Sequence, residues 1–280
     1  MLRIDRLVCR AGSRDIVAGV STVFRAGLLH VIVGPNGSGK STFLKAFSGD
    51  WRPESGTVFY DEVPLTAMNK TSLARRRAVM SQLPELHFPL SVDDIVLMGR
   101  YPHFSFQPST RDKDICREAM ERLGIAALTG RDYLTLSGGE RQRVQFARAL
   151  AQIWDAPAPD AAIPGTNGVS PDTGGDSPHT GCRYLFLDEP VSSLDIRYQH
   201  QILQIARSLV RENIILVVVL HDLNLALQYG DRILFMKEGR IAAEGPSPGI
   251  ITPGLIREIF DISAHLLENP YGGSPVIVYG

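Results

Sequence analysis

The sequence predicts an α/β fold in which helices cover a parallel sheet. Residues 28–33 form a short apolar strand pattern that runs directly into a glycine-rich turn and a helical segment at 42–47. Residues 214–220 are aliphatic throughout, which is typical of a strand buried on both faces of a parallel sheet. Residues 140–154 place their apolar side chains on one helical face, so an amphipathic helix is expected there.

The other elements follow from the same periodicities. Residues 2–9 and 16–24 predict a hairpin, because a polar break separates two apolar segments. A helix over 112–124 is expected to stop at Gly124, where glycine tolerates the helix-ending conformation. Further strands are predicted at 57–60, 78–80, 184–187, 232–236, 240–243 and 275–279, and further helices at 91–99 and 196–211.

Composition excludes several classes of protein. The 280 residues carry 29 Lys+Arg against 30 Asp+Glu, so binding of nucleic acid through bulk positive charge is disfavoured and no nucleic-acid partner is expected. Cys9, Cys116 and Cys182 are far apart and form neither a zinc pattern nor a disulfide framework. The longest aliphatic run is far shorter than the roughly 20 residues of a membrane span, and the N-terminus lacks a signal-peptide core. A cytosolic chain is the simplest interpretation.

Residues 155–182 differ from the rest of the chain. This segment contains five prolines and five glycines together with Ser, Thr and Asp. Such a composition buries too little apolar surface to offset the entropy of ordering. We therefore expect a flexible insertion between two ordered regions.

A phosphate-binding motif follows the strand at 28–33. The pattern G-x-x-x-x-G-K-[ST] predicts that backbone N–H groups and the positive end of the following helix surround phosphates. Lys40 is expected to reach the β- and γ-phosphates, and the Ser41 hydroxyl is expected to bind Mg²⁺. The candidate ATP-binding residues are Gly34, Pro35, Asn36, Gly37, Ser38, Gly39, Lys40, Ser41 and Thr42.

Two carboxylates end the apolar strand at 184–187. Asp188 suits the coordination shell of Mg²⁺, directly or through water, and Glu189 suits a general base for the attacking water. Without the phosphate-binding motif, an acidic turn after a buried strand would explain them equally well.

The segment Leu136-Ser137-Gly138-Gly139-Glu140-Arg141-Gln142 resembles the signature sequence of ATP-binding-cassette (ABC) ATPases. A Ser before two glycines also serves as an ordinary helix cap. The resemblance implies that the signature residues, Ser137 to Glu140, meet the γ-phosphate held by a second subunit. It thus implies a homodimer, with ATP and Mg²⁺ as cofactors.

Three further segments match that family in order. Gln82 resembles the glutamine that senses Mg²⁺ and the attacking water, so it is predicted as both a catalytic and a metal-site residue. Ser193-Leu194-Asp195 resembles the loop that passes between the subunits, with Asp195 as its functional residue. His221, after the strand at 214–220, resembles the switch histidine that contacts the γ-phosphate.

The resemblance implies a P-loop NTPase fold with a RecA-like mixed sheet core, an N-terminal antiparallel β subdomain and an inserted helical subdomain. The whole chain, 1–280, is then a single ABC ATPase domain. Its nucleotide-binding core covers 1–82 and 183–280, its helical subdomain covers 83–154, and 155–182 is the flexible insertion.

The sequence departs from the family pattern at the first hairpin turn. Family members usually carry an aromatic residue there that stacks on adenine, and residues 9–14 contain none. Arg10 either stacks its guanidinium on the adenine ring or is a solvated turn charge. Val191 replaces the usual Thr after the two carboxylates.

A lone cassette without a membrane span resembles a bacterial importer subunit. The stretch Ile95-Val96-Leu97-Met98-Gly99-Arg100-Tyr101-Pro102-His103 is similar to a stretch in the ATPases of iron-siderophore, heme and vitamin B12 importers. It is expected to form a docking groove for the permease, the core of the helical subdomain, or both.

The helix at 144–154, the insertion after it and the segment 220–226 look most like the hemin importers. The implied partners are two permease subunits and, indirectly, a periplasmic binding protein. The implied location is the cytoplasmic face of the inner membrane, where the chain is peripheral. A siderophore or B12 cargo, and a soluble regulatory or nucleic-acid module, remain as alternatives.

Overall fold

The computed structural model describes residues 1–81, 88–154, 182–192 and 194–280. In this part of the chain the strands are β1 (Leu2–Ala11), β2 (Arg14–Phe24), β3 (Leu29–Val33), β4 (Ser55–Tyr60), β5 (Val63–Pro64), β6 (Arg77–Met80), β7 (Arg183–Asp188), β8 (Ile214–Val219), β9 (Arg232–Lys237), β10 (Arg240–Pro246), β11 (Ala264–Leu267) and β12 (Val276–Tyr279). The α-helices there are α1 (Lys40–Ser48), α2 (Lys70–Arg76), α3 (Val92–Leu97), α4 (Thr110–Arg122), α5 (Gly138–Ile153), α6 (Ile196–Leu209), α7 (Leu223–Tyr229) and α8 (Pro253–Phe260).

A mixed sheet forms the centre of the molecule, in the order β10-β9-β3-β8-β7-β6. The five strands from β9 to β6 are parallel, and β10 pairs with β9 in the antiparallel sense. Every residue of β3, β7 and β8 is buried. For β8, the aliphatic composition predicts this burial. Burial of each Val, Leu or Ile side chain stabilises the fold by roughly 1.5–3 kcal/mol.

The register of the central strands brings their carboxyl ends to one edge. Ile32 of β3 is paired with Val219 of β8, and Val219 is paired with Asp188 of β7. On the other side of β7, Leu187 is paired with Met80 of β6. The segments that follow these four strands therefore leave the sheet side by side, and they carry most of the predicted site residues.

An antiparallel sheet, ordered β2-β1-β4-β5, lies over one side of α1. Phe43 and Phe47 of α1 are fully buried between the two sheets, and Phe47 packs edge-on against Phe186 of β7 at 4.9 Å. Helix α1, which begins at the phosphate-binding motif, is therefore held by apolar contacts on both sides.

Helices α3 and α4 pack against each other and against α5, and α5 in turn packs against β6. Each of these helices begins with a capping box. The hydroxyl of the Ser before the helix accepts the N–H of the third helical residue, and the carboxylate of that third residue accepts the Ser N–H. The helix predicted over 91–99 is α-helical only to Leu97 and continues as a 3₁₀-helix over Met98–His103, a segment that contains Pro102.

The chain ends in the antiparallel hairpin β11–β12, which contacts α7 through β12. The Asn224 side chain of α7 receives the Ile277 N–H at 2.7 Å and donates to the Ile277 carbonyl at 3.2 Å. One amide side chain thus takes the place of a neighbouring strand at this point.

The predicted α/β fold class is confirmed, and α2, α7 and α8 are helices whose boundaries the sequence analysis does not predict. The proposed division into core and helical subdomains remains a prediction, since Gln82 and most of the junction near it lie outside the described residues. The predicted insertion also lies outside them, apart from Cys182. Within the described part of the chain, none of the helices is long and apolar enough to cross a membrane.

Candidate functional site

The phosphate-binding loop connects β3 to α1 in a conformation that requires glycine. Gly34 has a φ of +156°, and a Cβ there would lie 2.1 Å from the Met236 carbonyl oxygen. Gly39 has a φ of +97°, and a Cβ there would lie 2.5 Å from the Ile16 carbonyl oxygen. A side chain at either position would displace backbone, so the two glycines determine the shape of the loop.

Lys40 is buried and folds back over this loop. Its Nζ donates to the carbonyl oxygens of Gly34 at 2.8 Å and Pro35 at 2.9 Å. Burial lowers the pKa of the Lys40 ammonium, and the nearby carboxylates of Glu189 and Asp188 oppose this effect. The positive charge is thus held at the mouth of the loop by backbone oxygens.

The start of α1 presents donors to the same loop. Gly39 is its N-cap and supplies no side-chain cap, which leaves the first N–H groups available to an anion. Within the described part of the chain, the buried Ser38 hydroxyl also has no hydrogen-bond partner. These groups fit a bound phosphate.

Two of the three predicted magnesium-site residues, Ser41 and Asp188, meet beside the loop, whereas the third, Gln82, lies outside the described residues. The Ser41 hydroxyl donates to Oδ1 of the buried Asp188 at 3.1 Å. Burial raises the pKa of the Asp188 carboxyl, an effect that the bond from Ser41 partly offsets. Hydroxyl and carboxylate oxygens are ligands that Mg²⁺ prefers. This pair fits an ion whose remaining ligands are phosphate and water. The described residues include no group of three or more His, Cys, Asp or Glu arranged for a metal.

Glu189 and His221 lie at the ends of neighbouring strands and are in contact. Nε2 of the His221 ring lies 2.5 Å from Oε1 of Glu189. Glu189 has a φ of +53°, in the left-handed region that residues other than glycine avoid. Its N–H donates to the Val219 carbonyl at 3.2 Å, which extends the β7–β8 ladder by one residue.

The signature residues form the first turn of α5, away from the loop in sequence. The Ser137 hydroxyl donates to Glu140 at 2.8 Å and accepts the Glu140 N–H at 3.3 Å, so it serves as a helix cap here. Gly138 and Gly139 follow it in the helix. Asp195 caps α6 by accepting the Tyr198 N–H at 3.1 Å.

Arg10 lies in the exposed first hairpin, where its Nε donates to Asp15 at 2.5 Å. This ion pair bridges the two strands of the turn. An adenine contact for Arg10 remains a prediction, as do the roles of Gln82 and Ser193, which lie outside the described residues.

The stretch that begins at Ile95 faces inward through most of its polar residues. A Cβ on Gly99 would lie 2.2 Å from the Arg148 carbonyl oxygen of α5. Arg100 is buried, pairs with Asp112 at 3.0 Å and donates to the Ala151 carbonyl at 2.8 Å. His103 donates to the Gln152 carbonyl at 2.7 Å. These residues belong to the core of the helical region.

One residue near the site was missed from the sequence. Gln142 of α5 donates its side-chain amide to the Glu189 carbonyl at 2.9 Å. Gln142 and Gln145 are polar residues on the buried, mostly apolar side of α5, which was the available signal. Periodicity alone does not tell which backbone group such a side chain meets.

Comparison with known proteins agrees with this geometry. The sequence profile of the ABC transporter family matches residues 17–155. The chain is 40% identical over 278 residues to the Hemin import ATP-binding protein HmuV of Gloeobacter violaceus, covering 99% of this chain and 94% of the relative. It is 39% identical over 265 residues to the protein of the same name from Hahella chejuensis, covering 95% and 94%.

Solved structures show the same fold. A chain of a metal-chelate type ABC transporter in an inward-facing conformation superposes with a TM-score of 0.77 at 22% identity, covering 100% of this chain and 96% of that one. A dimeric ATP-binding cassette with ADP and phosphate bound superposes with a TM-score of 0.69 at 23% identity, covering 88% and 98%. This chain therefore belongs to the ABC transporter family, as one of its ATP-binding, ATP-hydrolysing subunits.

Proposed function

We propose that this chain hydrolyses ATP to energise a bacterial inner-membrane importer whose cargo is hemin. The observation that carries the ATPase assignment is the convergence at one sheet edge. Lys40 lies over the phosphate-binding loop, the Ser41–Asp188 pair lies below it, and the Glu189–His221 pair ends the adjacent strands.

In the proposed mechanism, the loop N–H groups and Lys40 bind the β- and γ-phosphates and stabilise the charge that develops there. Ser41 and Asp188 would hold Mg²⁺, and the ion would neutralise phosphate charge. Glu189 accepts a proton from the attacking water while the water oxygen bonds to the γ-phosphorus. The bond from the γ-phosphorus to the β–γ bridging oxygen breaks at the same time, and ADP leaves. His221 orients the Glu189 carboxylate and contacts the γ-phosphate, and Gln82 helps to position the water.

The proposed active form is a homodimer. The capped start of α5, with Ser137, Gly138, Gly139 and Glu140, offers a second helix N-terminus for the γ-phosphate held by the partner copy. Asp195, at the start of α6, would lie between the copies. Arg10 is proposed to stack on adenine after releasing Asp15.

The proposed permease surface is the exposed aromatic group beside the helical region. Phe88, Tyr101 and Phe106 are 56%, 58% and 97% exposed, although large aromatic side chains are usually covered. Tyr101 belongs to the segment whose Gly99 and Arg100 face α5, and Phe88 and Phe106 lie before and after that segment in the sequence. Docking of a permease there would place the chain at the cytoplasmic face of the membrane, with a periplasmic binding protein as an indirect partner.

The hemin assignment rests on relatives that are named Hemin import ATP-binding protein and match nearly the whole length of this chain. To test it, the chain is reconstituted with its co-purifying permease and its ATPase activity is measured. The binding protein is added empty, loaded with hemin, or loaded with a ferric siderophore or B12. We expect stimulation by the hemin-loaded form alone. Equal activity with all forms would discard hemin, and stimulation by a ferric siderophore or B12 would replace it.

The general-base assignment is tested by Glu189→Gln. We expect this variant to bind ATP and accumulate as an ATP-bound dimer with almost no turnover, because the amide cannot accept the water's proton. Size-exclusion chromatography with ATP and a phosphate-release assay measure the two effects. Glu121→Gln, on the exposed side of α4, is the control and should hydrolyse ATP normally. Normal hydrolysis by Glu189→Gln would refute the assignment.

A further inference from the structure

Gln142 connects the helix that begins at the signature segment to the proposed general base. It lies in the second turn of α5 and is only 4% exposed. Its Nε2 donates to the Glu189 carbonyl at 2.9 Å, whereas its Oε1 is buried and has no hydrogen-bond partner within the described part of the chain. Burial of an unpartnered amide oxygen is unfavourable, so the position is not explained by stability alone.

Glu189 needs external support for its backbone. Its left-handed φ of +53° costs roughly 1–2 kcal/mol for a residue with a side chain. On the amino side, the N–H is held by Val219 of β8. On the carboxyl side, the carbonyl accepts from Gln142, from the Ser192 N–H at 3.4 Å and from the Ser192 hydroxyl at 3.2 Å. Among these three bonds to the Glu189 carbonyl, the bond from Gln142 is the shortest, and it comes from a helix distant in the sequence.

We propose that Gln142 is a positioning residue for ATP hydrolysis, which holds the Glu189 peptide so that the carboxylate points at the attacking water. The inference rests on the proposed role of Glu189 as general base. Because the ring of Pro190 fixes its own φ, loss of the Gln142 bond would act on the backbone dihedrals of Glu189. A change in these dihedrals would swing the Glu189 side chain, and a displacement of about 1 Å can cost on the order of 100-fold in rate. Because Ser137 caps the start of α5, movement of that helix would be transmitted to Glu189 through this bond.

A leucine at position 142 separates positioning from folding. Gln142→Leu removes the donor together with the unpartnered oxygen, and the Glu189 carbonyl keeps both bonds from Ser192. The fold should therefore be as stable as that of the wild type, since no new buried polar group is left unpaired. Should this variant not yield soluble protein, Gln142→Met keeps the unbranched shape and serves in its place.

Gln145 offers a matched control on the same helix. It is 2% exposed, and its Oε1 also lacks a partner within the described residues. Its Nε2, however, donates to the Tyr133 hydroxyl at 2.9 Å and does not reach Glu189. Gln145→Leu thus reproduces the change in chemistry and burial without altering the general base.

The first experiment measures steady-state ATPase kinetics of the full chain. We expect Gln142→Leu to lower kcat at least tenfold with KM for ATP within twofold, because the phosphate-binding loop is untouched. Gln145→Leu should keep the wild-type kcat. Equal kcat for Gln142→Leu and wild type, or an equal loss in both leucine variants, would overturn the proposal.

The second experiment combines Gln142→Leu with Glu189→Gln in single-turnover assays. If Gln142 acts through the Glu189 carboxylate, the double variant should be no slower than Glu189→Gln alone. A further tenfold loss would refute this route. Normal hydrolysis by Glu189→Gln would instead refute the proposed role of Glu189 as general base. If the wild type hydrolyses ATP and Gln142→Leu does so at the same rate, only the proposed role of Gln142 is refuted.

Discussion

His30 makes the stability of the central sheet depend on pH. It lies in β3, the strand that leads into the phosphate-binding loop, and is 2% exposed. Its Nε2 accepts the Arg25 N–H at 2.9 Å, which only a ring nitrogen without a proton can do. Burial lowers the pKa of the His30 ring to about 4. The Arg25 carbonyl oxygen, 3.1 Å from Nε2, opposes this effect, and Arg232 adds a smaller lowering contribution.

The direction of the effect follows from proton binding in the two states. In the unfolded chain a histidine has a pKa of about 6.5. Between about pH 6.5 and pH 4, the unfolded chain binds a proton that the folded chain does not, so the folded state loses stability as the pH falls. The linkage relation gives a loss of about 2 kcal/mol between pH 7 and pH 5 for this group, and about 3 kcal/mol in total below pH 4.

Urea denaturation of the wild type and His30→Gln at pH 7 and pH 5 measures this effect. Glutamine can accept the Arg25 N–H through its side-chain oxygen and does not titrate. We expect the wild type to lose about 2 kcal/mol more than His30→Gln over this interval, since other groups contribute equally to both. His265→Gln, on the exposed side of the C-terminal hairpin, should behave as the wild type. Equal losses in the wild type and His30→Gln would refute the reasoning.

Two further predictions concern the core and the C-terminus. Asp112→Asn removes the counter-charge of the buried Arg100 guanidinium and should reduce the free energy of unfolding by about 3–5 kcal/mol, and a loss below about 1 kcal/mol in thermal denaturation would contradict it. Asn224→Ala removes both bonds to the Ile277 backbone, each worth about 1 kcal/mol, so amide protons of β11 and β12 should exchange faster. Unchanged protection relative to Gln228→Ala, an exposed position on α7, would show that the hairpin is held by other contacts.

The phosphate-binding loop was predictable because its geometry is encoded locally. Gly34 and Gly39 stand where the backbone adopts positive φ values, and the strand before them and the helix after them follow from periodicity. The same holds for the capping boxes, where Ser and an acidic residue occur within one turn. Such features need no knowledge of distant parts of the chain.

The stretch around Gly99 shows where sequence reasoning stopped. Its pattern allowed a docking groove or a subdomain core, and the inward contacts of Gly99 and Arg100 are visible only once α5 is packed against it. Tyr101, which lies between these inward residues and Pro102, is exposed. Neighbouring residues of one motif thus face the core and the solvent.

By itself, the sequence determined the α/β class, the positions of most strands and helices, and the identity of the phosphate-binding loop. Tertiary structure alone decided that Ser41 meets Asp188, that His221 meets Glu189 and that Gln142 holds the Glu189 backbone. The physical reason is that local propensities act over a few residues, whereas these contacts depend on strand order and register. The pairing of Ile32, Val219 and Asp188 across three strands brings distant segments to one edge, and no local pattern specifies that pairing.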